Sequence, residues 1–433
     1  MLVSVSLLQG IAALEVEPLS GLSTVVPVGF FKNLMIEQHD SGFFTERYFD
    51  EVCQHCIDDP ALAAFVAGHG PIEQCGFCGR TEVLGSGLRT LFHYMAECLG
   101  TEWDDPNNEV GWDHGFHDFI TIIDSDELLV WELGSPLGNE DLHKEFVSAF
   151  EHHWCQVDPY RLDHVEMLLH SWHHFSSIVK NKKRYLLHRT PPRPRDHSEE
   201  LLDPAEVLDA IGDAIVQADS QVLRRTSDVR IVRARRHKRS KRARTAKKLG
   251  SPPSRHARHN RMSGAGISMF YGAETEHTAK VEVPRRKGKA VTTGSWIPSR
   301  ELIYLDLPAA LPIPSIFDTA ARSKRTSLRF LYQFAQDLAR QINEDDAAVE
   351  YIPTQFVTEY IRDHLRTGDG QSIDAIRYHS ASDEPNGVCW VVFVDNDNCV
   401  NSDSRAAKQA RGREDLFMIL DTNSVRRYEL EDS

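Results

Sequence analysis

The sequence predicts an α+β protein in two parts: a mainly helical amino-terminal domain, followed by an α+β domain. Three observations carry this expectation. First, charge is divided unevenly within the 433-residue chain of net charge −15: residues 1–179 hold 6 Lys and Arg against 29 Asp and Glu, while residues 180–433 hold 43 against 35. Second, two Cys-x2-Cys pairs, Cys53/Cys56 and Cys75/Cys78, precede a series of helical periodicities. Third, beyond residue 203 strand-like and helix-like stretches alternate without regular βαβ spacing, which favours α+β over a doubly wound sheet. A chain of this length exceeds one ordinary domain, and no stretch approaches the roughly 20 uninterrupted apolar residues that span a bilayer. The acidic front half repels phosphate and argues against nucleic acid there.

Residues 1–44 read as an extension of unclear structure. The opening MLVSVSLLQGIAAL has no Lys or Arg ahead of its apolar run, and Glu15 and Glu17 follow closely, against the pattern of a cleaved signal. The front domain is placed at residues 45–188. Its four paired cysteines could be two disulfides or free thiols, but the doubled spacing, with Gly76 and Gly79 allowing a tight backbone, points to structural zinc held by Cys53, Cys56, Cys75 and Cys78. A closed four-thiolate site leaves no position for water, so it would staple the fold and perform no chemistry. Cys98, Cys155, Cys389 and Cys399 lack such spacing. Helical periodicity then recurs around Ser86–Leu99, Asp141–Phe150 and His164–Val179. His170 and His174 stand one turn apart on the last of these, but no Glu of an HExxH motif accompanies them, so they read as packing, as do His114 and His117.

Residues 189–202 carry three prolines and mixed charge, the composition of an extended linker. The second domain is placed at residues 203–433. Asp203 and Pro204 are read as a helix start before the apolar stripe Val207, Leu208, Ile211 and Ile215. Residues 224–261 are densely basic, yet they offer no aromatic residues for stacking bases, which weakens a nucleic-acid reading. Within this run VRIVRAR alternates like a short strand, and its Arg233 is singled out. Strands are expected at Leu302–Leu307, IDAIRYHS and VCWVVFV, with a helix at Thr326–Ile342 followed by the segment EYIPTQFVTEYIRDHL. There is neither a GxGxxG following a strand nor a GxxxxGK[ST], which excludes the Rossmann fingerprint and the P-loop.

The organising stretch runs from His259 to Val283: a basic glycine turn, a β-branched and aromatic strand from Ile267 to Tyr271, then a change of period. Arg261, Tyr271 and Glu282 fall at the turn, the strand end and the following element, the inventory of a nucleotide site. Singly, each has an ordinary reading, as a solvated Arg, a packed Tyr and a surface acid. Their combination raises the case for a site.

These residues carry a resemblance. IVRAR at 231–235, NRMSGAG at 260–266, ISMFYGAETEHTAKVEV at 267–283, YIPTQ at 351–355 and IDAIRYHSAS at 373–382 resemble, in order and spacing, the RES domain, and the front half resembles the HEPN/RES domain that precedes some RES domains. The resemblance implies an ADP-ribosyltransferase-like α+β fold and an enzyme that consumes NAD+ as substrate by breaking its bond to nicotinamide. It further implies a toxin of a toxin–antitoxin system, with an antitoxin protein as partner and a cytoplasmic location. Carried over by position, Glu282, Arg233, Tyr271 and Ser380 are the catalytic residues, and Arg233, Arg261, Tyr271 and Ser380 bind the dinucleotide. The front half lacks the Arg and His spacing of HEPN ribonucleases. The competing expectation is a non-catalytic zinc and basic-loop module that binds nucleic acid. Glu282 discriminates the two, because only catalysis requires a carboxylate there.

Overall fold

The computed structural model describes residues 43–430 apart from 48, 110–120, 152, 186, 188–200, 241, 284–287, 308–310, 341, 344–345, 384–386 and 412. The amino-terminal extension, most of the linker and the His114/His117 pair lie outside the described residues. The chain divides into two compact units, residues 1–106 with 121–155, and residues 107–120 with 156–433.

In the first unit, strands β1 (Glu51–Cys53), β2 (Pro71–Gln74) and β3 (Thr81–Gly87) form an antiparallel sheet with β3 in the middle. Glycine is required at position 85, where a Cβ would stand 2.4 Å from Ile72 Cδ1 and 2.6 Å from the Val52 carbonyl oxygen. Helix α1 (Pro60–Ala67) opens on Pro60 and is capped by Asp59, whose carboxylate accepts from the Leu62 N–H at 2.8 Å. Helices α2 (Leu88–Leu99) and α3 (Glu140–Ala149) bury Phe92 and Phe146, whose rings meet edge to face at 5.5 Å, while Phe150 stacks on Phe146 at 4.5 Å. The helical periodicities of this region become α2 and α3. The small sheet escapes a periodicity argument because its strands are short and carry glycine and glutamate where alternation would need apolar residues.

The second unit holds, among the described residues, ten strands in one mixed sheet: β4 (Leu223–Thr226), β5 (Ile231–His237), β6 (Phe270–Ala273), β7 (Ala290–Pro298), β8 (Leu302–Asp306), β9 (Ala375–His379), β10 (Val388–Val392), β11 (Cys399–Asn401), β12 (Met418–Leu420) and β13 (Arg426–Glu429). Their order is β11-β12-β7-β5-β6-β10-β9-β8-β4, with β13 also paired to β7. The β8/β9 and β11/β12 pairs are parallel and the others antiparallel, so the class is α+β. One face, through Ile303, Leu305, Ile376 and Val391, packs on helices α4 (His164–Asn181), α5 (Val207–Ala218), α8 (Arg322–Ala339) and α9 (Ile352–Asp363). Phe270, Trp296, Ala375, Trp390 and Leu420 form a second core on the opposite face.

Helix α4, grouped with the front domain in the sequence reading, packs within the second unit. Trp172 meets Phe334 of α8 edge to face at 5.0 Å and donates through Nε1 to Asp337 at 2.7 Å. Its apolar stripe is Val165, Leu168, Trp172, Phe175 and Val179, and His164, His170 and His174 lie on the exposed side rather than in half-buried packing. Helix α5 begins at Val207, a few residues after the expected Pro204, because Asp203 caps the preceding turn by accepting from the Ala205 N–H at 2.9 Å.

The feature that positions the site is a split in the sheet. Strand β5 pairs with β7 along all seven of its residues but meets β6 only at Val232 and Ala273. Beyond that point the two strands part. The strand expected from Ile267 begins only at Phe270, because the residues before it form a turn: Gly266 has φ +89°, the Ile267 N–H donates to the Gly264 carbonyl, and the Ser268 hydroxyl donates to the Pro252 carbonyl.

Candidate functional site

The four paired cysteines converge. Cys53 closes β1, Cys56 ends the single turn after it, and Cys75 and Cys78 occupy the β2–β3 connection, where Gly79 at φ +72° lets its N–H reach the Cys75 carbonyl at 3.0 Å. The Sγ separations are 3.9 Å for Cys53 and Cys56, 3.5 Å for Cys53 and Cys78, and 3.7 Å for Cys56 and Cys75. All four sulfurs lie within 4.8 Å of one another and none is in a disulfide. A tetrahedron with metal–sulfur bonds of about 2.3 Å has edges of about 3.8 Å, so the donor set fits a four-thiolate metal. Among the described residues no other group of His, Cys, Asp and Glu converges in this way. Burial pushes the Cys56 thiol up. Burial also opposes ionisation of Cys75, but N–H groups of Cys78, Phe77 and Cys53 outweigh it and pull that thiol down to about 7. Arg47 leans over the Phe77 ring at 3.9 Å, donates to the Gly76 carbonyl at 2.7 Å and is ion-paired with Asp50 at 2.7 Å, which ties the Cys75–Cys78 loop to the start of β1.

The second constellation lies at the split. Val232 and Ala273 are paired and share a face, so alternation puts Tyr271, Cys389, Val391 and Tyr378 on that face as well, through the pairs Cys389/Ala273, Val391/Tyr271 and Cys389/Tyr378. Val232, Ala234, Ala273, Ala279 and Cys389 make its small apolar floor. Ser380 continues the same parity past Tyr378 and is 1% exposed. Helix α7 (Glu276–Val281), capped by the Thr275 hydroxyl, ends at Glu282, which accepts a hydrogen bond from the Ser380 hydroxyl. Thr278 fastens this end of α7 to the Ser380 loop by donating to Asp383 at 2.7 Å. Glu282 is itself exposed. An accessible carboxylate is thus oriented by a buried hydroxyl.

The glycine turn docks on the start of α9. Thr354 donates to the Arg261 carbonyl, Gln355 donates to the Asn260 carbonyl at 2.8 Å, and Arg261 stands 5.6 Å over the Tyr351 ring while donating to the Leu338 carbonyl. The stretches 260–266 and 351–355, read separately in the sequence, are therefore one substructure. Tyr271 donates to Ser263 of this turn at 2.9 Å, and burial raises its phenol well above the usual tyrosine range.

Glu282, Ser380, Tyr271 and Arg261 are accordingly brought together, whereas Arg233 stands apart. One residue beyond Val232, its side chain leaves the opposite face, where its guanidinium donates to the Leu249 carbonyl at 3.0 Å and to the Tyr271 carbonyl and lies 5.2 Å from the Phe270 ring. Burial pulls its pKa down to about 10. It holds the backbone of Tyr271 rather than lining the face that Tyr271 presents. The sequence reading passed over Tyr378 and Cys389; the available signal was the RYHS stretch, where period two puts Tyr378 on the side of Ser380. The other acids of the organising stretch are engaged elsewhere. Glu274 is clamped by Arg377 at 2.7 Å and by Trp390 Nε1 at 3.2 Å, and Glu276 is paired with Lys280 at 2.8 Å.

Family comparison matches residues 229–412 to the RES domain and residues 69–193 to HEPN/RES N-terminal domain 1. The chain is a RES-domain protein with a HEPN/RES-type amino-terminal domain. The RES domain is generally an NAD+-acting enzyme fold, and every residue of the split-sheet constellation lies inside its matched stretch. Cys75 and Cys78 fall within the other match, and Cys53 and Cys56 lie ahead of it. No curated protein and no solved structure matches the chain.

Proposed function

We propose that the protein consumes NAD+ by breaking the bond between nicotinamide and ribose, and that it acts as a toxin restrained by an antitoxin protein. The observation that carries this reading is the Glu282 carboxylate, exposed and fixed by Ser380 at the rim of a small apolar floor. Departure of nicotinamide leaves an oxocarbenium-like ribose, and a carboxylate fixed in advance stabilises that charge more in the transition state than in the substrate. Ser380 orients Glu282, Tyr271 offers a ring face, and Arg261, with one guanidinium nitrogen already engaged, presents the remainder to the pyrophosphate. Arg233 is a positioning residue that sets the Tyr271 backbone. In the first unit, Cys53, Cys56, Cys75 and Cys78 hold a structural zinc. A nucleic-acid module is disfavoured by the basic run, several of whose cations are paired: Arg225 with Asp369, Arg239 with Glu429 and Lys247 with Asp397.

Controlled expression in a bacterial host tests the toxin reading, with the cellular NAD+ pool and growth followed together. NAD+ should fall before growth stops, and growth arrest with an intact NAD+ pool contradicts the proposal. A second expected result separates positioning from chemistry. Arg261→Ala removes a contact that acts on substrate and transition state alike, so KM for NAD+ should rise about tenfold while kcat changes little. A fall in kcat with unchanged KM would assign Arg261 to the developing charge instead.

A further inference from the structure

Resting on the NAD+ reading, we infer that Tyr378 is the residue that recognises the departing nicotinamide, its ring flanking the pyridine and its hydroxyl donating to the carboxamide. Tyr378 sits beside Cys389 in the cross-strand row that begins at Ala273, on the face that carries Tyr271. The two tyrosines are separated by strand β10 and offset by two residues, so their backbones stand about 12 Å apart on that face, with the smaller Cys389 and Val391 of β10 between them. The floor below, with Ala273 and Cys389, is apolar and small. Such a floor suits a pyridine ring and offers nothing to a pyrophosphate.

The hydroxyl supplies the second part of the argument. Among the described residues the Tyr378 hydroxyl has no hydrogen-bond partner, whereas the Tyr271 hydroxyl is committed to Ser263. Burial, with Cys389 and the Glu282 carboxylate nearby, holds the Tyr378 phenol well above the usual tyrosine range, so it keeps its proton and remains a donor. A half-buried donor without a partner, beside the carboxylate proposed to face the ribose, is placed to receive the acceptor oxygen of a carboxamide.

Binding of free nicotinamide and of ADP-ribose to the full chain, measured by calorimetry, tests this without requiring turnover. Tyr378→Phe keeps the ring and removes the donor. It should weaken nicotinamide about fivefold to tenfold and leave ADP-ribose within twofold, with kcat/KM for NAD+ falling by the nicotinamide factor. Tyr378→Leu should weaken nicotinamide further, again sparing ADP-ribose. Equal weakening of both ligands, loss of ADP-ribose alone, unchanged nicotinamide affinity, or no nicotinamide binding by the parent protein would each overturn the inference. A parent protein that binds nicotinamide through Tyr378 yet leaves NAD+ intact would support this inference and refute the reaction proposed above.

Discussion

Glu282→Gln should slow NAD+ consumption by roughly a hundredfold or more, about 3 kcal/mol of transition-state stabilisation, with NAD+ still bound. The substitution is nearly isosteric. The Ser380 hydroxyl donates to one Glu282 oxygen, and a glutamine carbonyl can accept the same hydrogen bond, so the geometry is kept and the charge is removed. Initial rates at saturating NAD+, together with a measured NAD+ affinity, check this. The neighbouring acids serve as controls. Glu274→Gln should leave turnover within about threefold but lower thermal stability, because the Glu274 carboxylate is committed to Arg377. Burial opposes its ionisation, but the Arg377 guanidinium outweighs burial and holds its pKa below the usual carboxylate range. A carboxylate lowered in the folded state contributes stability above its unfolded pKa and loses it as pH falls through the folded pKa. The stability difference between parent and Glu274→Gln should therefore be present at neutral pH and shrink on acidification. A Glu282→Gln protein that turns over NAD+ at the parental rate, while the Glu274→Gln or Glu276→Gln variant is dead, assigns the catalytic carboxylate elsewhere.

Cys75→Ser should abolish metal binding and unfold much of the first unit. Cys75 is buried, its Sγ lies 3.7 Å from that of Cys56, and it accepts the Cys53 N–H at 3.4 Å. A structural zinc contributes on the order of 10 kcal/mol of binding energy to the fold that holds it, comparable to the whole stability margin of an ordinary domain. The parent should carry about one zinc per chain by elemental analysis, and the variant far less. Cys78→Ser, at the exposed corner of the site, removes a ligand with less disturbance to packing and should lose zinc as well. Full metal content in both variants would refute the four-cysteine assignment.

The sequence made some of this architecture legible and hid the rest for physical reasons. The doubled Cys-x2-Cys spacing reports a local geometry and could be read directly. The apolar stripes of α4 and α8 have a clear period, so those helices could be placed. Glu282 and Ser380 were legible only as members of ordered motifs, since nothing local to either reveals that they meet across 98 residues. The orientation of Arg233 was not legible at all. It depends on which face Val232 shares with Ala273, and that follows from a single cross-strand pair that no run of residues encodes. For Tyr378 the RYHS stretch shows that it shares a side with Ser380, but its place beside Cys389 is a matter of register between β9 and β10. The small sheet of β1, β2 and β3 lacks alternation because its residues serve the cysteine loops.

Product analysis tests the central claim most directly. Purified parent protein is incubated with NAD+, with and without inorganic phosphate, and the products are resolved by chromatography with mass detection. The account predicts nicotinamide in one-to-one ratio with ADP-ribose or with a phosphorylated or transferred ADP-ribosyl product, and none of either from Glu282→Gln on the same time scale. Intact NAD+, or cleavage to nicotinamide mononucleotide and AMP, would contradict it.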